Sequence, residues 1–216
     1  RLGLNKAEIK INHREILASV SRKIELNDNI LDFVIILDKL SKVGSDKVIN
    51  ELKNKLGLKD KYKTILNDVF KEKTSEETLT LIKDQFIDNK ISESAYIELK
   101  NLYDLISMNS DDIINISFDL TLARGLDYYT GAIFEVINVS NDDYVGSIGG
   151  GGRYKNLTER FNIKNLSGIG ISFGLERIYH YDPVNVYPVL EFDELRENKS
   201  GLIEKIFSLY CYNEHG

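Results

Sequence analysis

Two spacings of apolar residues divide the chain into a strand-rich start, a helical middle and a second strand-rich part. In KAEIKINH (6–13), apolar and polar positions alternate, as they do in a half-buried strand. Ile16, Val20 and Ile24 then recur at helical spacing. Residues 4–26 therefore predict a strand followed by a helix.

A helical pattern runs over residues 27–115, which contain no proline and two glycines. Apolar residues from Ile30 to Leu40 repeat along one helical face, and Gly44 follows where a C-terminal cap is expected. Thr74 to Glu77 matches a capping box, and Ser92 is predicted to cap a further helix. We interpret this part as an all-helical insertion.

Strand patterns return after residue 116. The segments concerned are FDLTL (118–122), RGLDYYTGAIFEVINV (124–139), VGSIGGGGRY (145–154) and GIGISFG (168–174). Short helices are predicted over 155–161 and from Leu175. Short strands joined by a local turn favour antiparallel pairing. The pattern predicts an α+β fold built on an antiparallel sheet.

Composition and charge narrow the possible functions. The net charge of −6 argues against a nucleic-acid surface over the whole body, but permits a local basic site for a phosphorylated small molecule. There is no run of about 18 apolar residues that could span a membrane, and RLGLNKAEIK lacks the apolar core of a signal peptide. One cysteine and three scattered histidines predict no disulfide or metal site. We therefore expect a cytoplasmic protein.

ARGLDYYTGAIFEV (123–136) places chemistry-bearing residues in a stretch that we interpret as a strand. Arg124 is a natural anchor for a carboxylate or a phosphate. In a regular strand Tyr128 and Tyr129 point to opposite faces, so that one can line a pocket while the other packs. A structural Arg–Asp pair with two core tyrosines explains the same residues equally well.

Two glycine-rich segments extend the pattern. The glycines of GSIGGGGRYKNL (146–157) indicate either a turn or a ligand that lies against the backbone. No Gly-Lys-Ser/Thr follows, and no βαβ unit surrounds the run, so phosphate-loop and dinucleotide-binding interpretations fail. In GIGISFGLERI (168–178) the glycines share one face, on which a flat ligand could lie beside Arg177; close packing of the sheet is the alternative.

Taken together, RGLDYYTG, GGGGRYKNL and GIGISFGLERI resemble the histidine-specific signature, the glycine-rich tyrosine segment and motif 3 of histidyl-tRNA synthetases. These are class II aminoacyl-tRNA synthetases, and this sequence is more similar to the bacterial form of the family than to the animal form. The resemblance implies a partial class II catalytic domain over 1–26 and 116–180, interrupted by the helical insertion over 27–115. Residues 181–216 form a divergent tail.

The resemblance also implies site residues. Arg124 would bind the α-phosphate and the histidine carboxylate and is the expected catalytic residue. Tyr129 and Tyr154 would line the imidazole pocket. Gly149, Gly150 and Gly151 would let histidine lie close to the sheet.

For ATP, the resemblance implies that Arg177 holds the γ-phosphate and that Gly174 leaves room for the base. ATP would be a substrate, with Mg²⁺ whose ligands the resemblance does not identify. The expected partners are L-histidine, ATP and tRNA(His), in a homodimer.

Three departures qualify the resemblance. Lys155 replaces the usual aspartate. Motifs 1 and 2 are not found in residues 1–216, and 181–216 does not resemble an anticodon-binding domain. We therefore expect residues 1–216 alone not to activate histidine, and to expose a sheet edge. The alternative function is a non-catalytic, synthetase-like regulatory subunit of ATP phosphoribosyltransferase; the presence of both Arg124 and Arg177 favours the synthetase.

Overall fold

The computed structural model describes residues 7–108, 114–124, 129–139, 146–154, 167–174 and 177. The chain divides into two compact units, Asn5–Gly174 and Leu175–Gly216 with Arg1–Leu4. Every described residue except Arg177 belongs to the first unit. The predictions for Tyr128, Lys155, the helix over 155–161 and the tail over 181–216 lie outside the described residues.

The described elements combine one sheet with a run of helices. The strands are β1 (Ala7–His13), β2 (Ile114–Phe118), β3 (Ala132–Asn138), β4 (Ser147–Tyr154) and β5 (Gly168–Phe173). The helices are α1 (Arg14–Lys23), α2 (Ile30–Leu37), α3 (Leu40–Val43), α4 (Ser45–Leu56), α5 (Lys63–Phe70), α6 (Ser75–Gln85) and α7 (Lys90–Met108). The predicted α+β class is confirmed. The helices share the compact unit of the sheet, and their separation as an inserted domain stays a prediction.

The strand order in the sheet is β2-β1-β3-β4-β5. The pairs β1–β3, β3–β4 and β4–β5 are antiparallel, as predicted, whereas β1 and β2 are parallel. Parallel neighbours need a long crossover connection. The helices between β1 and β2 supply that crossover. The prediction from short strands and local turns did not include this parallel pair.

Two of the three predicted helix caps are present. Thr74 and Glu77 form the capping box at the start of α6, and Gly44 caps α3 with a positive φ of 84°. The prediction for Ser92 is wrong, because α7 begins at Lys90. The Asn89 carboxamide oxygen accepts hydrogen bonds from the amides of Ile91 and Ser92 at 2.8 and 3.0 Å, and so caps the helix instead.

One face of the sheet is apolar and packs against helices. Ile11 is paired with both Phe118 and Phe134, so these three side chains form a row across the sheet. They contact the same core as buried residues of α1. Tyr103 of α7 packs on Phe118, with 6.1 Å between ring centroids. This packing leaves the opposite face of the sheet for polar groups.

Strands β2 and β5 form the two edges of the described sheet. The apolar side of β5 is partly uncovered. Ile169 and Phe173 on this side of β5 are 77% and 48% exposed. Of the helices in the described ranges, none combines the length and the apolar character that a bilayer span requires.

His13 joins the sheet to α1 and α7. Its Nδ1 accepts a hydrogen bond from the amide of Glu15 at 3.1 Å and caps α1. Its Nε2 lies 3.7 Å from Glu98 of α7, which also pairs with Arg153 of β4 at 2.9 Å. Burial lowers the pKa of His13 despite the opposing charges of Glu98 and Glu15.

We predict that His13 makes folding sensitive to acid. Because its folded pKa lies below the unfolded value of about 6.5, the unfolded chain binds more protons, and the free energy of unfolding falls as the pH drops below that value. His13→Asn keeps a capping oxygen and removes the titration. Denaturant unfolding at pH 5 to 7 should therefore show a flatter pH dependence for the variant. Parallel curves for the two proteins would contradict this role.

Candidate active site

Strand β1 holds a turn against the polar face of the sheet. The amide of Asp119 donates a hydrogen bond to the carbonyl of Ile11 at 2.9 Å. The Asp119 carboxylate accepts hydrogen bonds from Lys10 Nζ and from the amide of Thr121, each at 2.8 Å. These bonds fix the chain directly after β2.

The buried side chain of Asn12 secures the other end of the turn. Its Nδ2 donates to the carbonyl of Leu122 at 3.0 Å, and the amide of Leu122 donates to the carbonyl of Asp119 at 3.0 Å. The side chains of Leu122 and Ala123 are buried. Arg124 therefore directly follows a segment that hydrogen bonds and buried side chains hold in place.

Arg124 forms an ion pair with Glu135 of β3. The Arg124 side chain is 42% exposed and Glu135 only 15%. A Cβ atom on Gly150 would lie 3.9 Å from Arg124 Nη1, so the guanidinium lies over the polar face of β4. A charged, partly exposed donor group is thus held above backbone that carries no side chain.

Part of the predicted strand over 123–136 is wrong. The strand begins at Ala132, and Arg124 and Tyr129 precede it in irregular chain. The amide of Thr130 donates to the carbonyl of Arg153 at 2.8 Å, and the amide of Arg14 donates to the carbonyl of Gly131 at 3.1 Å. Contacts at this end of the sheet, not strand alternation, position Tyr129.

Tyr129 and Tyr154 lie together, as predicted. Their ring centroids are 4.9 Å apart and their planes are inclined at 51°. A Cβ on Gly152 would lie 2.7 Å from the Tyr129 ring, and one on Gly170 would lie 2.7 Å from the Tyr154 ring. The rings therefore occupy the space that side chains at these two positions would fill.

The glycine run is divided between the two faces of the sheet. Gly150 and Gly152 pair with Glu135 and Ile133, and lie on the face of Arg124 and the tyrosines. Gly149 and Gly151 face the other way, where added Cβ atoms would meet the rings of Phe173 and Phe134 at 2.9 and 2.6 Å. Side chains at these two positions would therefore point to the apolar face, and only the backbone of Gly149 and Gly151 borders the site.

Besides Arg124, two residues are expected to bind ATP, and they belong to different units. Gly174 follows β5, and its amide donates to the carbonyl of Ile148 at 2.9 Å, which extends the pairing with β4. Gly174 thus lies beyond Gly150, away from the tyrosine end. Arg177 is helical and exposed, and belongs to the second unit.

Two further charges lie beyond Glu135 on the polar face. Lys10 is the cross-strand neighbour of Glu135 and pairs with Asp119. Burial acts to lower the pKa of Lys10, but the hydrogen bond and charge of Asp119, with the charges of Glu8 and Glu135, outweigh burial and raise it. Across the described ranges, no three His, Cys, Asp or Glu side chains are arranged to hold a metal ion.

Comparisons with known proteins show which family this chain resembles. The sequence profile of histidyl-tRNA synthetase matches residues 1–178. The histidine–tRNA ligase of Cytophaga hutchinsonii is 39% identical over 199 residues, 90% of this chain and 43% of that protein. That of Flavobacterium johnsoniae is 41% identical over 179 residues, 82% of this chain and 37% of that protein.

The chain belongs to the histidyl-tRNA synthetase family. The crystal structure of the histidyl-tRNA synthetase from Nostoc sp. PCC 7120 superimposes with a TM-score of 0.73 and 27% identity, covering 84% of this chain and 43% of that one. The chain thus spans about two fifths of the length of the curated family members it matches.

A second solved structure shares the fold at lower sequence identity. An ATP phosphoribosyltransferase regulatory subunit/histidyl-tRNA synthetase from Bacillus halodurans C matches with a TM-score of 0.61 at 21% identity, over 82% of this chain and 45% of that one. At that identity the match supports the class II fold alone.

Sequence analysis did not select Glu135, the acidic partner of Arg124, or Lys10, the basic neighbour of Glu135. Lys10 and Glu135 occupy polar positions within apolar strands, KAEIKINH and AIFEV, and those positions were the available signal. Lys10 and Glu135 are paired only through the register of β1 and β3, which brings together residues that are far apart in the amino-acid sequence.

We predict that glycine is required at 170 but not at 168. An alanine Cβ at 170 would overlap the Tyr154 ring, and overpacking of this kind costs about 1–3 kcal/mol. No described atom lies within 4 Å of the corresponding position at Gly168. Gly170→Ala should lower the free energy of unfolding by that amount, and the control Gly168→Ala by less than about 0.5 kcal/mol. Equal losses in denaturant unfolding would refute the packing of Tyr154 on Gly170.

Proposed function

We propose that this chain forms the histidine-activating part of a histidine–tRNA ligase. The proposal rests on one observation. On a sheet face where glycines leave the backbone without side chains, the Arg124–Glu135 ion pair and the Tyr129–Tyr154 pair lie together, in a chain of this family. The reaction joins histidine and ATP to give histidyl-adenylate and pyrophosphate. The histidyl group then passes to tRNA(His).

Arg124 is the proposed catalytic residue. When the histidine carboxylate attacks the α-phosphate, two anions approach each other and negative charge builds on the phosphate oxygens. A guanidinium fixed in advance stabilises that charge. Arginine remains protonated and presents a planar set of donors that suits both carboxylate and phosphate. Its exposure above Gly150 leaves it accessible from the polar face.

The tyrosine pair is the proposed imidazole site. Hydroxyl groups of Tyr129 and Tyr154 can bond the two ring nitrogens of histidine. A site that satisfies such polar groups rejects side chains that would leave them unpaired. The backbone of Gly149, Gly150 and Gly151 is proposed to border the amino acid, with Gly150 on the same face as Arg124.

ATP is the second proposed substrate. Arg177 is proposed to hold its γ-phosphate, and Gly174 to leave room for adenine. Mg²⁺ is expected to accompany the triphosphate and to offset its charge, and no ligands for it are assigned among the described residues. We further propose that the intact protein acts as a cytoplasmic homodimer. The inactivity of residues 1–216 alone stays a prediction.

Histidine-dependent ATP–pyrophosphate exchange by the intact protein tests the proposed function. Exchange with histidine but not with other amino acids is the expected result. Lack of exchange, together with stimulation of an ATP phosphoribosyltransferase by the same preparation, would instead support the regulatory alternative.

We predict that Arg124→Ala abolishes adenylate formation while weakening histidine binding less. Loss of a fixed cation at the transition state should lower the exchange rate at least 10²-fold, by analogy with the loss of an oxyanion-hole donor, about 10²–10³-fold. Arg153→Ala is the control, because Arg153 has the same 42% side-chain exposure but pairs with Glu98 on the helical side. Exchange by Arg124→Ala within about tenfold of wild type would rule out this role.

We also predict that the tyrosine hydroxyls govern recognition of histidine. Tyr129→Phe and Tyr154→Phe keep the packed rings and remove one hydroxyl each. A lost bond to a ring nitrogen corresponds to about 1 kcal/mol or more, so KM for histidine should rise at least about fivefold while KM for ATP stays nearly constant. Tyr103→Phe, whose hydroxyl bonds Glu76 at 2.9 Å among the helices, is the control. Unchanged KM for histidine in both site variants would contradict the assignment.

A further inference from the structure

Four side chains of alternating charge form a row across the polar face of the sheet, in the order Asp119, Lys10, Glu135 and Arg124. We infer that Glu135 is a positioning residue that sets the orientation of the Arg124 guanidinium, and that Lys10 and Asp119 hold Glu135 in place. The inference rests on the proposed function and assigns a role to three residues outside the substrate-binding set.

The geometry makes Glu135 the fixed member of the ion pair. It lies inside β3, where its neighbours are Lys10 in β1 and Gly150 in β4. Its side chain is mostly buried, whereas Arg124 lies outside any strand and is more exposed. An arginine side chain has about 2 kcal/mol of rotamer entropy, so an unsupported guanidinium samples many orientations. A carboxylate anchored in the sheet restricts them.

Lys10 and Asp119 complete the support. Lys10 faces a carboxylate on either side, since it bonds Asp119 at 2.8 Å and is paired with Glu135 across the strands. Asp119 is held in turn by the amide of Thr121. The charges therefore alternate from Asp119 to Arg124, and each group has an opposite charge beside it.

The arrangement suits a catalytic arginine. A guanidinium carries five N–H donors in one plane, and a carboxylate engages at most two of them. Glu135 can thus fix the plane while other donors of the same group meet the substrate. Misplacement by about 1 Å of a group that acts in the transition state can cost about 10²-fold in rate, so orientation here should affect kcat more than binding.

Kinetics of the intact protein test the inference. Glu135→Gln should lower kcat of histidine-dependent exchange at least about tenfold, with both KM values within about threefold of wild type. Glu8→Gln is the matched control, because Glu8 is a carboxylate on the same face that bonds Ser117 rather than Arg124. Lys10→Met should lower kcat in the same direction by a smaller factor. Equal effects of Glu8→Gln and Glu135→Gln would overturn the inference.

A double-mutant cycle separates orientation from general damage to the fold. Lysine at position 124 keeps the charge but has no planar fork to orient. In the Arg124→Lys background, Glu135→Gln should therefore change kcat by less than about threefold, since coupled residues are not additive. The same fold loss in both backgrounds would show that Glu135 does not act through Arg124.

Crystal structures of the intact wild type and of Glu135→Gln give a readout that needs no activity. The guanidinium should lie over Gly150 in the wild type, and be displaced by about 1 Å or more, or spread over several rotamers, in the variant. An unmoved, ordered Arg124 in the variant would overturn the inference. If the wild type lacks exchange activity, the proposed function fails, and the two structures still decide whether Glu135 positions Arg124.

Discussion

The absence of side chains at Gly150, Gly152 and Gly170 is the constraint on which the candidate site depends. At 152 and 170 a single methyl group would occupy the space of the Tyr129 and Tyr154 rings. Glycine in a strand interior weakens the strand, so this sheet loses strand stability but allows the two rings to pack directly against its backbone. The same bare surface lets the guanidinium of Arg124 approach β4.

Strand β1 supplies the second requirement, a fixed route for the chain that carries Arg124. Three consecutive residues, Lys10, Ile11 and Asn12, bond the turn after β2 through an ammonium, a carbonyl and a carboxamide. The helices between β1 and β2 allow these strands to run in parallel, and so bring the turn to the polar face. Helical packing on one face of the sheet and chemistry on the other thus depend on the same strand.

Local sequence patterns predicted what is locally determined. Alternating residues placed β1, β3 and β5, helical spacing and the capping box placed most helices, and glycine alternation placed bare backbone beside tyrosines. The strand predicted over FDLTL (118–122) is wrong, because β2 ends at Phe118 and the residues after it form the turn that β1 holds. The prediction failed where distant contacts decide. Asp119 reaches Lys10 across 109 residues, and Glu135 reaches Arg124 only because β3 pairs with β1 and β4 in this register. Asn89 replaced Ser92 as a cap because either residue type satisfies the same local rule.

A crystal structure of the intact protein with a non-hydrolysable histidyl-adenylate analogue tests the central claim most directly. The account predicts that the imidazole lies against Tyr129 and Tyr154. The group that mimics the α-phosphate should lie within about 3 Å of the Arg124 guanidinium, with Glu135 still in contact with Arg124. An analogue bound on the other side of the sheet, beside Ile169 and Phe173, or out of reach of Arg124, would contradict it.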